Sequence, residues 1–337
     1  VIDGLPVTGS GAYRAADAGL IRLTPGTSPA SISGATLEAR NSGLVVLQGT
    51  SSVALSGAIT LTSGGILQGT FSPSGTISAG SLAITTGSPG GQMLLSNTME
   101  ATIAGRIDVI GCGGAPFRGC IPPVLSLSDG STLQGGAGMR FSGAVSVVVG
   151  SSAVVEIAGD FDNEATDAVL FDWDQGKIAL SGTGRTFELA GVNLGARNPQ
   201  GFVNNFAMGT VELAAGASRT FTDTFDNAAG AGCEALYVGN LVLNTGSTLT
   251  VDGCRVYYAA RSGPGAVVIA NDGALMSTSA GDLDGDSDAD PADAAIEVNV
   301  LLGLDTNPAH VAAADLNGDG AVTSKDVRFM IELLTLP

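Results

Sequence analysis

From about residue 30 to residue 275, apolar and polar residues alternate in bursts of four to seven, each broken by Gly, Ser, Asn or Asp. VALSGAITLTSGGILQGTF (53–71) and GSTLTVDGCRVYYA (246–259) are representative. Alternation with period two gives a strand one buried face, and the small polar breaks mark turns. No helical period occurs in this stretch. The bursts also echo one another. GLVVLQGTSS (43–52) returns as GGILQGTFSP (64–73), with Leu47 and Leu67 twenty apart, and GSTLQGGAG (130–138) sets Leu133 sixty-six beyond Leu67.

A period near 20 to 22 is what one coil of a parallel β-helix or β-solenoid requires, with several short strands joined by tight turns. A β-sandwich or jelly roll has the same alternation but no reason for the repeat. The expected fold is therefore mainly β, with a parallel β-solenoid body over residues 1–275. The stretch 158–213, which holds Trp173 and several Phe, is less regular and reads as a wider coil.

The pattern changes at residue 281. DLDGDSDADPAD (282–293) places Asp282, Asp284, Asp286, Asp288, Asp290 and Asp293 at positions 1, 3, 5, 7, 9 and 12 of a twelve-residue loop. DLNGDGAVTSKD (315–326) places Asp315, Asn317, Asp319, Ala321, Thr323 and Asp326 in the same register. Calcium takes six to eight oxygens at about 2.3–2.6 Å. Such a loop supplies them from side chains at 1, 3 and 5, a carbonyl at 7, position 9 directly or through water, and a carboxylate at 12. The spacing predicts one helix after each loop, 293–304 and 326–336. Ile296, Val300 and Leu301 mark the apolar face of the first, and Val327, Met330, Ile331 and Leu334 that of the second.

One helix per loop, and Asp rather than Glu at position 12, make residues 281–337 resemble a type I dockerin. The resemblance implies a small α-helical calcium-binding domain, two Ca2+ ions, and a protein partner, either cohesin-like or another copy of the chain. In that family positions 10 and 11 help select the partner. Here they are Ser324 and Lys325 in the second repeat, the expected partner-binding pair, against Pro291 and Ala292 in the first. Ser287 replaces the Gly usual at position 6 of the first loop, which implies weaker binding there. The body is similar to β-solenoid segments of secreted, dockerin-tailed surface proteins of environmental bacteria such as planctomycetes.

Charge sharpens this division. The chain has 337 residues, only 14% of them charged, and a net charge of −18. Residues 281–337 hold twelve acids against Lys325 and Arg328, so more than half of the excess lies in the tail. A surface with no phosphate-neutralising patch excludes nucleic acid as a partner. No apolar run approaches the ~18 residues of a membrane span. The chain begins at Val1, which reads as a mature, processed form, and an extracellular or cell-surface location is expected.

The four cysteines suggest two disulfides, Cys112–Cys120 and Cys233–Cys254, in an oxidising compartment. The second pair is twenty-one apart, about one coil, and stacked strands ~4.8 Å apart would bring the α-carbons within disulfide reach. A zinc site is the competing reading, with no Cys-x-x-Cys to support it.

No catalytic residue is assigned. The lone histidine, His310, lies between the tail helices, and Lys177 with scattered arginines offers no clustered base. Asp160, Asp162, Glu164, Asp167, Asp172 and Asp174 are the best carboxylate candidates, and i, i+2 spacing suits a glycosidase pair. The same residues read equally as solvated charge or a further calcium site. Trp173, Tyr257 and Tyr258 are candidate sugar-stacking residues, with packing as the alternative. The leading expectation is an extracellular structural or assembly protein. The alternatives are a dockerin-bearing polysaccharide-degrading enzyme and a carbohydrate-binding adhesin, with polysaccharide as the further partner.

Overall fold

The structure is a computed structural model that describes residues 2–3, 6–8, 11–24, 31–48, 52–70, 76–87, 90–96, 98–112, 120–128, 130–227, 233–284 and 289–335. It is mainly β, with 49% strand and 13% helix, and its large sheets are parallel. It divides into two compact units, Val1–Gly182 and Thr183–Pro337.

In the first unit each strand bonds in parallel to the strand three elements further along. Leu20–Thr24, Leu44–Gln48, Ile66–Thr70, Gln92–Leu95, Val124–Leu127 and Ser146–Val149 form one ladder. Thr36–Ala39, Ala58–Leu61, Ser81–Thr85, Arg106–Ile110, Gly138–Gly143 and Asp160–Ala165 form another. Alternation sends every second side chain inward, and register stacks like upon like. Leu37, Ile59, Leu82, Ile107, Met139 and Phe161 make one fully buried column. Val53, Ile77, Ala101, Leu133 and Val155 make a second. Phe171–Leu180 is long enough to pair with both Ser146–Val149 and Val154–Ile157, so two strands of the repeat fuse. Phe141, Phe161, Phe171 and Trp173 fill the wider interior there with ring centroids 5.5–6.3 Å apart.

The repeat is longer than the sequence echoes suggest. Leu67 lies beside Val45, twenty-two residues back, so Leu47 pairs with Gly69 instead. Leu133 belongs to a different ladder from Leu67. Successive positive-φ pairs, Asp17–Ala18, Asn41–Ser42 and Ser63–Gly64, turn the chain at equivalent places. The Asn41 amide donates to Asp17 Oδ1 at 2.9 Å, stitching one turn to the next. Across Glu100–Thr132 the offset reaches thirty-two, and the extra chain contains the Cys112–Cys120 disulfide, with α-carbons 6.4 Å apart.

The second unit uses two strands per repeat. Arg185–Glu188, Ser218–Thr222, Thr248–Asp252 and Ala266–Ala270 form one parallel ladder. Met208–Leu213, Ala235–Leu243, Arg255–Ser262 and Ala274–Ser277 form the other. Three helices follow: α1 (Pro291–Leu301), α2 (Pro308–Ala313) and α3 (Ser324–Thr335). The second compact unit runs on from these strands through the three helices. The cause is a shared apolar cluster. Tyr237, Tyr257, Ala274 and Met276 from the strands pack with Leu283, Val300, Leu316, Phe329 and Met330 from the tail.

The expected Cys233–Cys254 disulfide is absent: both cysteines are free thiols, and Cys254 is buried. Ala235 pairs with Arg255, an offset of twenty rather than twenty-one. Continued back along the strands, that register sets Cys254 opposite Glu234. Cys233, one residue short of that partner, is out of register with Cys254. Cys254 donates instead to the Phe221 carbonyl at 3.3 Å, and burial pushes its thiol pKa up to about 12. The denatured, unreduced chain should therefore titrate two thiols, rising to four after reduction. A count of zero before reduction would restore the second bridge.

Candidate metal centre

In the first loop Asp282, Asp284 and Asp293 each offer a carboxylate oxygen, and these atoms lie within 4.8 Å of one another. That span is about twice a calcium–oxygen distance, so one ion could touch all three. The fully buried Asp293 is held by backbone amides. Leu283 and Asp284 donate to Oδ1 at 2.6 and 3.0 Å, and Asp290 donates to Oδ2 at 2.8 Å. Burial alone would raise its pKa, but those amides prevail and hold it below the ordinary aspartate value. Asp290 caps α1, accepting from the Ala292 amide at 2.6 Å, and Pro291 supplies a first helical residue that needs no partner for its nitrogen. Asp286 and Asp288 lie outside the described residues.

The second loop is described throughout. Asp315 accepts from the Asp319 and Gly320 amides at 3.0 and 2.8 Å. Burial raises its pKa most, and Asp326 and Asp319 add to that against the Gly320 amide. Asn317 is buried, and its Oδ1 accepts from the Asp319 amide at 2.9 Å while its Nδ2 donates to Asp319 at 3.0 Å. The fully buried Asp326 accepts from Asn317 N at 3.1 Å and Thr323 N at 2.7 Å, closing the loop onto the first turn of α3. The Ala321 amide donates to Asp319 Oδ1 at 3.0 Å. Thr323 Oγ1 donates to Asp326 at 3.2 Å. Lys325 is the one cationic residue in this loop, against three aspartates. Hard oxygen donors in excess negative charge fit a divalent cation of the calcium type.

Both helices begin close to where the spacing placed them, but the faces differ in detail. On α1 Val300 is buried while Leu301 is 36% exposed. On α3 Phe329 and Met330 are buried while Ile331 is 54% exposed. α2 was not anticipated; its six residues are too few for a hydrophobic period. Its His310 Nδ1 lies 2.7 Å from Asp305 Oδ2. Ser324 and Lys325 are exposed, as are Pro291 and Ala292.

The tail is fixed to the strands by more than apolar contact. Leu275, in the last strand, donates its amide to the Asn317 carbonyl at 3.2 Å. Arg255 is 7% exposed; its guanidinium lies 4.8 Å from the Phe329 ring centroid and 3.5 Å from Glu332. Arg328 reaches Asp272 at 3.4 Å.

The carboxylates weighed for catalysis have structural partners. Asp162 pairs with Arg106 at 2.7 Å and Glu164 with Arg140 at 2.7 Å, on the outward side of their strand. These arginines come from earlier repeats, fifty-six and twenty-four residues away, so the sequence separation concealed them. Asp167 caps a short 3-10 turn. Burial, followed by the charge and hydrogen bond of Asp174, raises the Asp172 pKa. Trp173 and Tyr257 are buried and offer no open stacking face. Glu188, Asp223 and Glu234 form a second close carboxylate group, brought together from distant strands and invisible in the sequence.

Among the described residues no helix is long and apolar enough to cross a membrane. No curated protein and no solved structure matches the chain. Residues 280–335 match the family described as Dockerin type I domain, whose members bind calcium and mediate protein–protein assembly, so the C-terminal segment is a type I dockerin module.

Proposed function

We propose that the protein is a secreted structural or assembly component. In this reading a β-solenoid body, residues 1–275, carries a dockerin module, residues 281–337, that joins it to a protein partner in calcium. The observation that carries the reading is the coincidence of the family match with two registered loops, one of which gathers three carboxylates within 4.8 Å. Parallel ladders that repeat every twenty-odd residues support the solenoid. One calcium per loop would supply the positive charge that lets these carboxylates approach. The chain's own backbone amides already orient Asp293, Asp315 and Asp326 toward that role.

Partner choice follows from what the module has already spent. Phe329 and Met330 are buried against the chain's own strands, so a partner must use the remaining surface. Ser324 and Lys325 lie on that surface and differ from Pro291 and Ala292, which favours one binding orientation over two equivalent ones. A cohesin-like domain is the first candidate. Another copy of the chain would have to dock through the same module, because the last strand is already covered by the Asn317 loop. The ion pairs of Asp162 and Glu164 support a structural rather than catalytic role for that carboxylate row.

Calcium at about 1,000 times its dissociation constant should stabilise the module by about 4 kcal/mol per site. Calorimetry of the full chain should show a calcium-dependent rise in unfolding temperature. Asp315→Ala or Asp326→Ala should remove the second-loop share of that rise. An identical trace in calcium and chelator would refute the metal reading. Interferometry against a cohesin panel should give binding in calcium that chelator and Asp315→Ala abolish, with Lys325→Glu weakening it tenfold or more. Calcium-independent binding, or reducing-sugar release from polysaccharides lost in Asp162→Ala, would overturn the assembly role.

A further inference from the structure

The strand Arg255–Ser262 and the last strand, Ala274–Ser277, run side by side, and the chain leaves them for the first acidic loop. The second loop folds back over Leu275 through the Asn317 carbonyl. A cleft of about 380 Å³ is bounded by these strands and both loops. Sites for small molecules commonly run from ~300 to ~1,000 Å³, so this one is large enough to hold a ligand. Its lining includes Tyr258 and Arg261 from the first of these strands. Ser277 and Ser279 join them where the chain leaves the last strand, with Asp282 and Asp315, the first residue of each loop.

The fold leaves much of this polar chemistry unused. Tyr237 and Tyr257 bury their rings and donate their hydroxyls to Gly195 and Asn193. Tyr258 is only half-buried, and its hydroxyl has no hydrogen-bond partner among the described residues. Arg106, Arg140, Arg255 and Arg328 are each paired with a carboxylate. The exposed Arg261 has no ion pair among the described residues. The Ser277 and Ser279 hydroxyl oxygens lie 2.8 Å apart, and the Ser279 amide donates to Ser277 Oγ at 3.2 Å, which holds the two together at the cleft.

A sugar ring matches this set. Its C–H face packs on an aromatic ring, and its adjacent hydroxyls both donate and accept, so they can bond arginine and serine at once. Charge narrows the class. Residues 281–337 hold twelve acids against Lys325 and Arg328, so the loops repel a uronate or a phosphate. Two bound divalent ions, four positive charges, would leave that excess negative. A lysine-rich peptide would gain from the carboxylates but would meet the Arg261 charge and leave the hydroxyl pair unused. We propose that this cleft binds a neutral saccharide, its ring against Tyr258 and its hydroxyls held by Arg261 and the Ser277–Ser279 pair. Asp282 and Asp315 supply the negative wall that rejects anions. Neither Ser324 nor Lys325 lines the cleft, so the site is separate from the expected partner-binding pair. A chain carrying both sites joins a neutral polysaccharide to a protein partner.

The test is titration calorimetry of the full chain in calcium. The probes are neutral β-1,4-linked oligosaccharides of glucose, mannose and xylose, with a galacturonate oligosaccharide and an oligolysine as the charged alternatives. At least one neutral oligosaccharide should bind, and neither charged probe should displace it. Arg261→Ala, at an exposed residue with no described partner, should weaken that binding about tenfold or more, the loss expected of a charged hydrogen bond. Tyr258→Ala should do the same. Tyr258→Phe keeps the ring and its packing, guards against a weakened fold, and should hold affinity within about threefold. Failure of every neutral oligosaccharide to bind, or wild-type affinity in both alanine variants, would overturn the proposal. So would a charged probe that binds instead and depends on Tyr258, since the cleft would then serve an anion or a peptide.

Discussion

A stack of parallel strands ends in one whose outer amides and carbonyls face no neighbour, and that edge has to be covered. In the unit beginning at Thr183 the final strand is Ala274–Ser277. Its Leu275 amide is satisfied by the Asn317 carbonyl, and Asn317 is the third position of the second acidic loop. Edge protection and metal geometry therefore share a residue. In the calcium reading, a cation offsets the mutual repulsion of Asp315, Asp319 and Asp326, and the loop's curvature in turn holds the cover on the strand.

The packing around this bond makes the coupling strong. Tyr237 and Tyr257 present their rings to the tail, and Leu283, Leu316, Phe329 and Met330 fill the space beyond them. Tyr237 is anchored by accepting from the Leu194 amide and donating to the Gly195 carbonyl, at 2.8 and 2.9 Å. Arg255 lays its guanidinium across Phe329, an arrangement that gains from desolvation. A dockerin module seated in this way is part of its own chain's core rather than a tethered accessory. Its apolar face is spent at home, leaving the exposed residues beside the loops for an external partner.

Much of this was readable in advance because the signals were local. Period-two alternation gave the inward columns such as Leu82 and Ile107, and the acidic register gave both loops. What escaped depended on exact register or on distant neighbours. The echo between Leu47 and Leu67 misjudged the repeat by two residues, because similar words at a turn need not stack. A one-residue error in the Cys233–Cys254 spacing was enough to put the two thiols out of register. Arg106 beside Asp162 is a contact between repeats that no sequence window contains. Nothing in the local sequence sets Glu297 apart from other helical acids. Only the packing of α1 on α3 shows that it is dry and unpaired.

The most direct test of the coupling between metal loop and strand edge is amide hydrogen exchange at Leu275. In calcium its N–H, bonded to Asn317, should be protected to the level of neighbouring ladder amides. In chelator it should exchange much faster, while interior amides of the first unit such as Val155 remain unchanged. Equal protection of Leu275 in both conditions would contradict the account.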